Sequence, residues 1–319
     1  MFGIQRRITA QKNLVMKVYA MSNPTRTSLA VCKHVSRIRG TPPKRNYTHT
    51  HSSCILTEPL TKTSQLGGVR KIVMSSQKTR NALSLQMMED LISNITFNQD
   101  DPALRCIVLY GEGKVFSAGH NLKELTSKDG IDYHNQVFSA CTRLMLGIIQ
   151  CPVPVIAVVQ GLAAAAGCQL VATCDIAICT DNSTFSTPGA NFGIFCSTPG
   201  IAVCRAVPRK VAAQMLFTGI PLTAHEALQA GLISKVTTQE DIDEELQKIV
   251  DAIRNKSRSV LELGKKFLYE QLEMDIRTAY RHGQEVMVNN LTLIDCQEGI
   301  RSFIEKRKPI WTHGFEKCH

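Results

Sequence analysis

Neither aspartate nor glutamate occurs in the first 57 of the 319 residues, and no charged residue occurs from Leu144 to Cys174. No Cys-x-x-Cys pair exists among the twelve cysteines, and no continuous apolar stretch of a secretory signal opens the chain. Each absence excludes something. Without paired cysteines, a zinc or dithiol site has no local support, and no metal is expected. Without a secretory signal, most of Cys106, Cys168, Cys174, Cys179 and Cys204, set among apolar neighbours, read as small core residues in a reducing compartment. The missing acids also locate the formal charge of +10. Ten basic residues lie before Glu58, and the remaining 27 balance all 27 acids. The body is neutral and carries no basic footprint for nucleic acid.

An acid-free, Arg-containing, Ser/Thr-rich start has the composition of a mitochondrial transit peptide. Phe2, Ile4, Ile8, Leu14, Val15 and Val18 interleave with Arg6, Arg7, Lys12 and Lys17, a basic amphipathic pattern. A membrane potential negative inside would draw such a segment inward. Arg45-Asn46-Tyr47-Thr48 resembles a matrix-protease cleavage signal. Residues 1–57 are therefore expected to be a matrix-targeting leader, with a basic tail that binds anionic surfaces as the competing reading.

The 31 uncharged residues 144–174 are long enough to span a membrane. Pro152, Pro154, Gln150, Gln160, Gly161 and Gln169 interrupt them too often for one lipid-facing helix, so no transmembrane segment is expected. A buried strand at 155–159, a turn at 160–161 and a helix from about 165 fit better. Elsewhere strands are expected at 69–75, 105–110 and 176–179. Helices are expected from the Ser84 cap to about 98, and over 132–149. Beyond Gly200 the pattern is helical, apart from a short strand at 233–236. A β/α core over 58–255 followed by a helical region over 256–319 results. No repeat of fixed period is visible.

Three segments carry the chemistry: Arg80-Asn81-Ala82-Leu83, the run Val115–Leu125 containing Ser117-Ala118-Gly119-His120, and Pro154–Asp175 containing Ala164-Ala165-Ala166-Gly167-Cys168-Gln169. Their order and spacing, with Phe217-Thr218-Gly219 and the 297–308 segment, resemble the enoyl-CoA hydratase/isomerase (crotonase) superfamily over about 66–310. The resemblance implies an α/β fold, the ClpP/crotonase-like spiral of β-β-α units, with C-terminal helices that build trimers or paired trimers. It implies an acyl-CoA thioester as ligand or substrate, with no cofactor bound permanently.

A thioester reacting beside its carbonyl passes through an enolate, whose charge two converging backbone N–H groups can stabilise. Small residues at 117–119 allow one loop to approach a ligand, and the helix opening near 165–167 favours an anion at its start. By resemblance, the donors are the amides of His120 and Ala166. Alanine replaces the usual glycine at 166, where a positive φ would be costly. The two acid/base glutamates of the hydratases fall at Gln169 and Gly189. Gln169 can position water but cannot take its proton, and Gly189 offers no group. General acid–base catalysis is worth ~10²–10⁴ in rate, so efficient hydration is not expected; the hole alone would keep ~10²–10³. Δ3,Δ2-isomerisation, which in the family uses an acid at 189, is not expected either.

Other residues follow from the same resemblance. Ala82, Leu83, Phe116, Ala118, Asn121 and Leu122 fall at substrate or CoA positions. Arg80, Lys123 and Lys306 fall near the CoA phosphates, and Phe303 near adenine. His120 offers an imidazole that titrates near neutrality, although its family role belongs to the backbone and its ring is expected to face solvent or CoA. Cys196 reads as pocket wall beside Ser197 and Thr198, because nothing in the sequence activates its thiol. Asp175 reads as a buried acceptor. Three functions stay open: an acyl-CoA enzyme with another proton carrier (isomerase, decarboxylase or thioesterase), a non-catalytic acyl-CoA-binding or assembly subunit, and a slow hydratase.

Overall fold

The computed structural model describes residues 59–318, and the expected leader over 1–57 lies outside them. Strands β1 (Thr61–Leu66) and β2 (Val69–Met74) pair antiparallel across the two-residue turn Gly67-Gly68. Both turn glycines have positive φ, as the tight turn of a two-residue hairpin requires. Helix α1 (Leu85–Thr96) follows, and Ser84 caps it by accepting the Met87 amide at 3.2 Å. It buries Met87, Met88, Leu91 and Ile95 at helical spacing.

Three β-β-α units come next. The first is β3 (Cys106–Gly111), β4 (Val115–Ser117) and α2 (Gly130–Gln150). The second is β5 (Val155–Val159), β6 (Leu162–Ala164) and α3 (Ala166–Thr173). The third is β7 (Ile176–Thr180), β8 (Thr184–Ser186) and α4 (Ser197–Ala206). In each unit the first strand joins a six-stranded sheet in the order β1-β2-β3-β5-β7-β10, and the second joins a four-stranded sheet in the order β4-β6-β8-β9. The spiral is thus a structural repeat without a sequence repeat. Its turns stack closely at Gly161, whose φ is +73° and where a Cβ would lie 2.1 Å from the carbonyl oxygen of Lys114. Only glycine fits there.

The large sheet sorts its side chains by strict alternation. Ile107, Leu109, Val155, Ala157 and Val159 face the main core with α1, α2 and α3. Cys106, Val108, Ile156, Val158 and Ile178 face a second cluster with Ile242, Val250 and Ile253. The last three belong to the helix Ile242–Arg254. The charge-free stretch is therefore the end of α2, two strands and α3. Among the described residues, no helix is long and apolar enough to cross a membrane.

After α4 come α5 (Arg209–Thr218), β9 (Leu222–Thr223), α6 (Ala224–Ala230), β10 (Lys235–Thr237) and α7 (Ile242–Arg254). Three helices, α8 (Arg258–Leu272), α9 (Ile276–Leu291) and α10 (Ile294–Ile304), complete the chain. Of the five cysteines set among apolar neighbours, most of them expected in the core, Cys106, Cys168 and Cys179 are buried, Cys174 is half-buried and Cys204 is exposed on α4. Among the described residues no cysteine is paired, and no cluster of three metal-ligating side chains occurs.

Candidate active site

The loop after β4 and the start of α3 are locked against each other. Gly119 has φ +86°, and a Cβ on it would lie 2.8 Å from the Ala164 carbonyl oxygen and 3.2 Å from the Ala166 nitrogen. On the other side of the loop, Leu83 donates its amide to the Gly119 carbonyl at 2.8 Å, and Ala118 donates to Arg80 at 3.0 Å. Asn81 adds two bonds from Nδ2, to the carbonyls of Glu112 and Val115. The first two chemical segments of the sequence are thus tied into one unit.

Ala118, His120, Ala165 and Ala166 form one wall of a cavity of about 230 Å³. Phe138 of α2, and Gly189, Phe192, Phe195 and Cys196 from the segment before α4, form much of the rest. Among the described residues, the amides of His120 and Ala166 donate to no backbone carbonyl. Ala166 is the first residue of α3, whose opening N–H groups have no partner within the helix. Ala166 avoids the positive φ that would be costly there: it is helical, and the positive φ is carried by Ala165, at φ 49° and ψ −117°. The strain sits one residue earlier because the chain must reverse before the helix can start.

The His120 ring, expected to face solvent or CoA, is half-buried at the cavity. It lines the cavity and packs edge-on against Phe138, with ring centroids 5.1 Å apart. Nδ1 lies 3.3 Å from the Leu83 carbonyl oxygen, while Nε2 is buried without a partner. Desolvation lowers the imidazole pKa below its usual value, and the Leu83 carbonyl offsets this only in part. A neutral ring with Nδ1–H donating to Leu83 carries its lone pair on Nε2.

The two positions expected to hold degenerate acids part company. Gly189 lines the cavity and donates its amide to Cys196 Sγ at 3.3 Å. Gln169 does not line it. Its Oε1 accepts from the Cys141 thiol at 3.7 Å, and the side chain borders a second cavity. Gln169 is one turn into α3, on the face that packs on α2. Cys196 is wall, as expected, and burial pushes its thiol pKa up.

Leu122 also borders the first cavity. Leu83 and Phe116 are fully buried in the main core rather than in its lining, and Ala82 is nearly so. Asn121 caps the short helical turn Leu122–Glu124 by accepting the Lys123 amide. Arg80, Lys123, Phe303 and Lys306 are exposed and outside the cavity, the last two on or just after α10. Sequence reasoning missed Phe138, Phe192 and Phe195, because their meeting depends on the fold and no local motif announces it.

The spiral of β-β-α units and the small-residue segments at its centre define a class. The profile of the enoyl-CoA hydratase/isomerase family matches residues 64–314, and the chain belongs to that family. Within it, the chain is 54% identical over 253 residues to enoyl-CoA hydratase domain-containing protein 3, mitochondrial, of Homo sapiens, covering 79% of this chain and 84% of that one. The Xenopus laevis protein of the same name is 53% identical over 263 residues, covering 82% and 90%. The crystal structure of the human protein superposes with a TM-score of 0.78, covering 79% of this chain and all of that one. An enoyl-CoA hydratase structure from Mycobacterium smegmatis is 40% identical, with a TM-score of 0.77.

Proposed function

We propose that this chain binds acyl-CoA thioesters in mitochondria, within fatty-acid or acyl-CoA metabolism, and is not an efficient enoyl-CoA hydratase. The observation that carries the reading is the pair of backbone N–H groups, at His120 and Ala166, without carbonyl partners beside one apolar cavity. A thioester carbonyl oxygen between them would accept both bonds, with the opening of α3 favouring its negative charge. Among the described residues, the cavity wall offers no carboxylate to move a proton. Arg80 and Lys123 stand on the same loop assembly, where CoA phosphates would need cations.

A mitochondrial location is supported by the names of the relatives, and the matrix by the acid-free composition of residues 1–57. Assembly as a trimer or paired trimers through residues 256–319 is supported by the apolar side chains that the last three helices expose, including Ile276, Tyr280, Met287 and Phe303.

One observation favours a second reading, an acyl-CoA enzyme with His120 as proton carrier. The residue lines the cavity, and its Nε2 is buried just behind that wall without a hydrogen-bond partner among the described residues. A neutral imidazole there would take a proton from a bound acyl group and return it.

Two measurements test these readings. Crotonyl-CoA hydration should run at least about two decades below a true hydratase assayed in parallel. Saturating acyl-CoA at about 100 times Kd should stabilise the protein by about 2.7 kcal/mol. Absence of stabilisation by CoA and by every acyl-CoA would overturn the binding reading. For the second reading, deuterium exchange at the α-carbon of a bound acyl-CoA should occur in the wild type and fail in His120→Gln.

A further inference from the structure

A second cavity neighbours the first, and Thr198 borders both. On α2, Phe138 lines the first, and Thr142, Met145 and Ile149, successive turns along the same face, line the second, of about 470 Å³. On α3, Ala166 lines the first, while Gln169 and Thr173 line the second. On α4, Thr198 borders both, followed by Ala202 and Arg205 in the second. Three helices thus present one continuous face each, running from the thioester position outward. Tyr269 and Leu272 of α8 close the far side. Arg205 and Glu273, 3.5 Å apart and well exposed, stand at the rim.

Between the two amides and that rim, the faces are apolar apart from hydroxyls, the Cys196 thiol and the Gln169 amide. A gradient of this kind suits a hydrocarbon chain with a polar head at one end. Size points the same way. At about 230 Å³ the first cavity falls below the ~300–1,000 Å³ usual for small-molecule sites. With the second, of about 470 Å³, in series, it falls well within that range.

We infer that the acyl tail of a thioester held at His120 and Ala166 passes Thr198 into the second cavity, so that the ligand is a medium- or long-chain acyl-CoA. This inference rests on the acyl-CoA reading above. Each methylene buried in the second cavity tightens binding by about fourfold (~0.8 kcal/mol) until the space is filled.

The test compares butyryl-, octanoyl- and dodecanoyl-CoA by calorimetry on the full-length protein and two variants. Ala202→Phe fills the second cavity from α4. Ile201→Trp narrows the same cavity from a half-exposed position that folding tolerates. In the wild type, dodecanoyl-CoA should bind at least about a hundredfold more tightly than butyryl-CoA, the gain from about three or four of its eight extra methylenes. Both variants should lose roughly tenfold or more for dodecanoyl-CoA and stay within about twofold for butyryl-CoA. Equal affinities across the series, or variants that leave the dodecanoyl gain intact, would overturn the inference alone. That second outcome would mark the second cavity as a seat for something else, such as a neighbouring copy of the chain. Failure of all three thioesters to bind the wild type would overturn the acyl-CoA reading and this inference with it.

Discussion

Lys265 of α8 reaches beneath the sheet to place its ammonium 2.7 Å from Asp175 Oδ2, with both side chains nearly out of solvent. Every remaining valence is met. Lys265 also donates to the carbonyls of Ile148 and Val153, at 2.9 and 3.0 Å. Asp175 accepts the Val155 amide through Oδ2 and the Tyr269 hydroxyl through Oδ1. The pair thereby pins α8 to the start of β5, ten residues before the cavity wall at Ala165. This is the buried-acceptor role expected of Asp175. Removing one member of a buried pair strands the other charge, which costs about 3–5 kcal/mol. Lys265→Met should show that loss in denaturant unfolding. Tyr269→Phe, which removes one neutral donor, should cost only about 1–2 kcal/mol. Equal, small losses for both would show that the ion pair does not hold α8.

Ala165 holds a backbone conformation that alanine tolerates poorly, with φ 49° and ψ −117°. Such a residue stores about 1–3 kcal/mol of strain, which glycine does not feel. Ala165→Gly should raise the thermal midpoint by a few degrees, at about 2–4 °C per kcal/mol for a domain near this size. A lower midpoint would mean that the alanine methyl contributes more by packing on the cavity wall than its backbone loses.

The contrast between Ala165 and its neighbour shows what the sequence can and cannot disclose. The run Val155–Val159 was legible as a strand to the residue, because five apolar side chains in a row suit a strand buried on both faces. Strand β1 was not legible. Five of its six residues are exposed, so it has neither alternation nor an apolar run. Strands β4, β6, β8 and β9 are two or three residues long, below the length at which a period can be read. At the site, Ala118, His120, Ala166 and Gly189 could be found as cavity neighbours through the resemblance of their segments to the family. The direction of Gln169 could not, because it depends on the rotation of α3 about its axis. Nor could the Phe138 contact that buries the His120 ring, which joins two distant elements.

Burial of His120 sets a pH dependence. Its pKa in the folded state is lowered, so below about 6.5, the usual imidazole value, the unfolded chain binds a proton that the folded chain refuses. Stability is therefore unaffected by this group above that pH. It is lost as the pH falls from there toward the folded-state value. His313, also lowered by desolvation, adds a share of the same sign. Thermal midpoints measured from pH 7.5 to 5 should fall with acid in the wild type. They should fall less steeply in His120→Gln, where the His313 share persists. Parallel curves for the two proteins would show that the His120 ring takes its proton freely in the fold.

Placing carboxylates at 169 and 189, the positions where the resemblance sets the hydratases' glutamates, offers a sharper test, because Gly189 has no room for a side chain. A Cβ at Gly189 would lie 2.2 Å from the Ile194 carbonyl oxygen and 2.7 Å from Cys196 Sγ. Backbone cannot yield at that distance without moving the segment from Pro188 to Thr198 that walls the cavity. Gln169→Glu, meanwhile, would direct its carboxylate toward Cys141 and the second cavity. Neither Gln169→Glu nor the double variant with Gly189→Glu should restore crotonyl-CoA hydration to within about a hundredfold of a true hydratase. Gly189→Ala should already destabilise the fold by about 1–3 kcal/mol through overpacking. Efficient hydration by the double variant would show that the 188–198 segment moves aside at little cost, and that only two side chains separate this chain from a working hydratase.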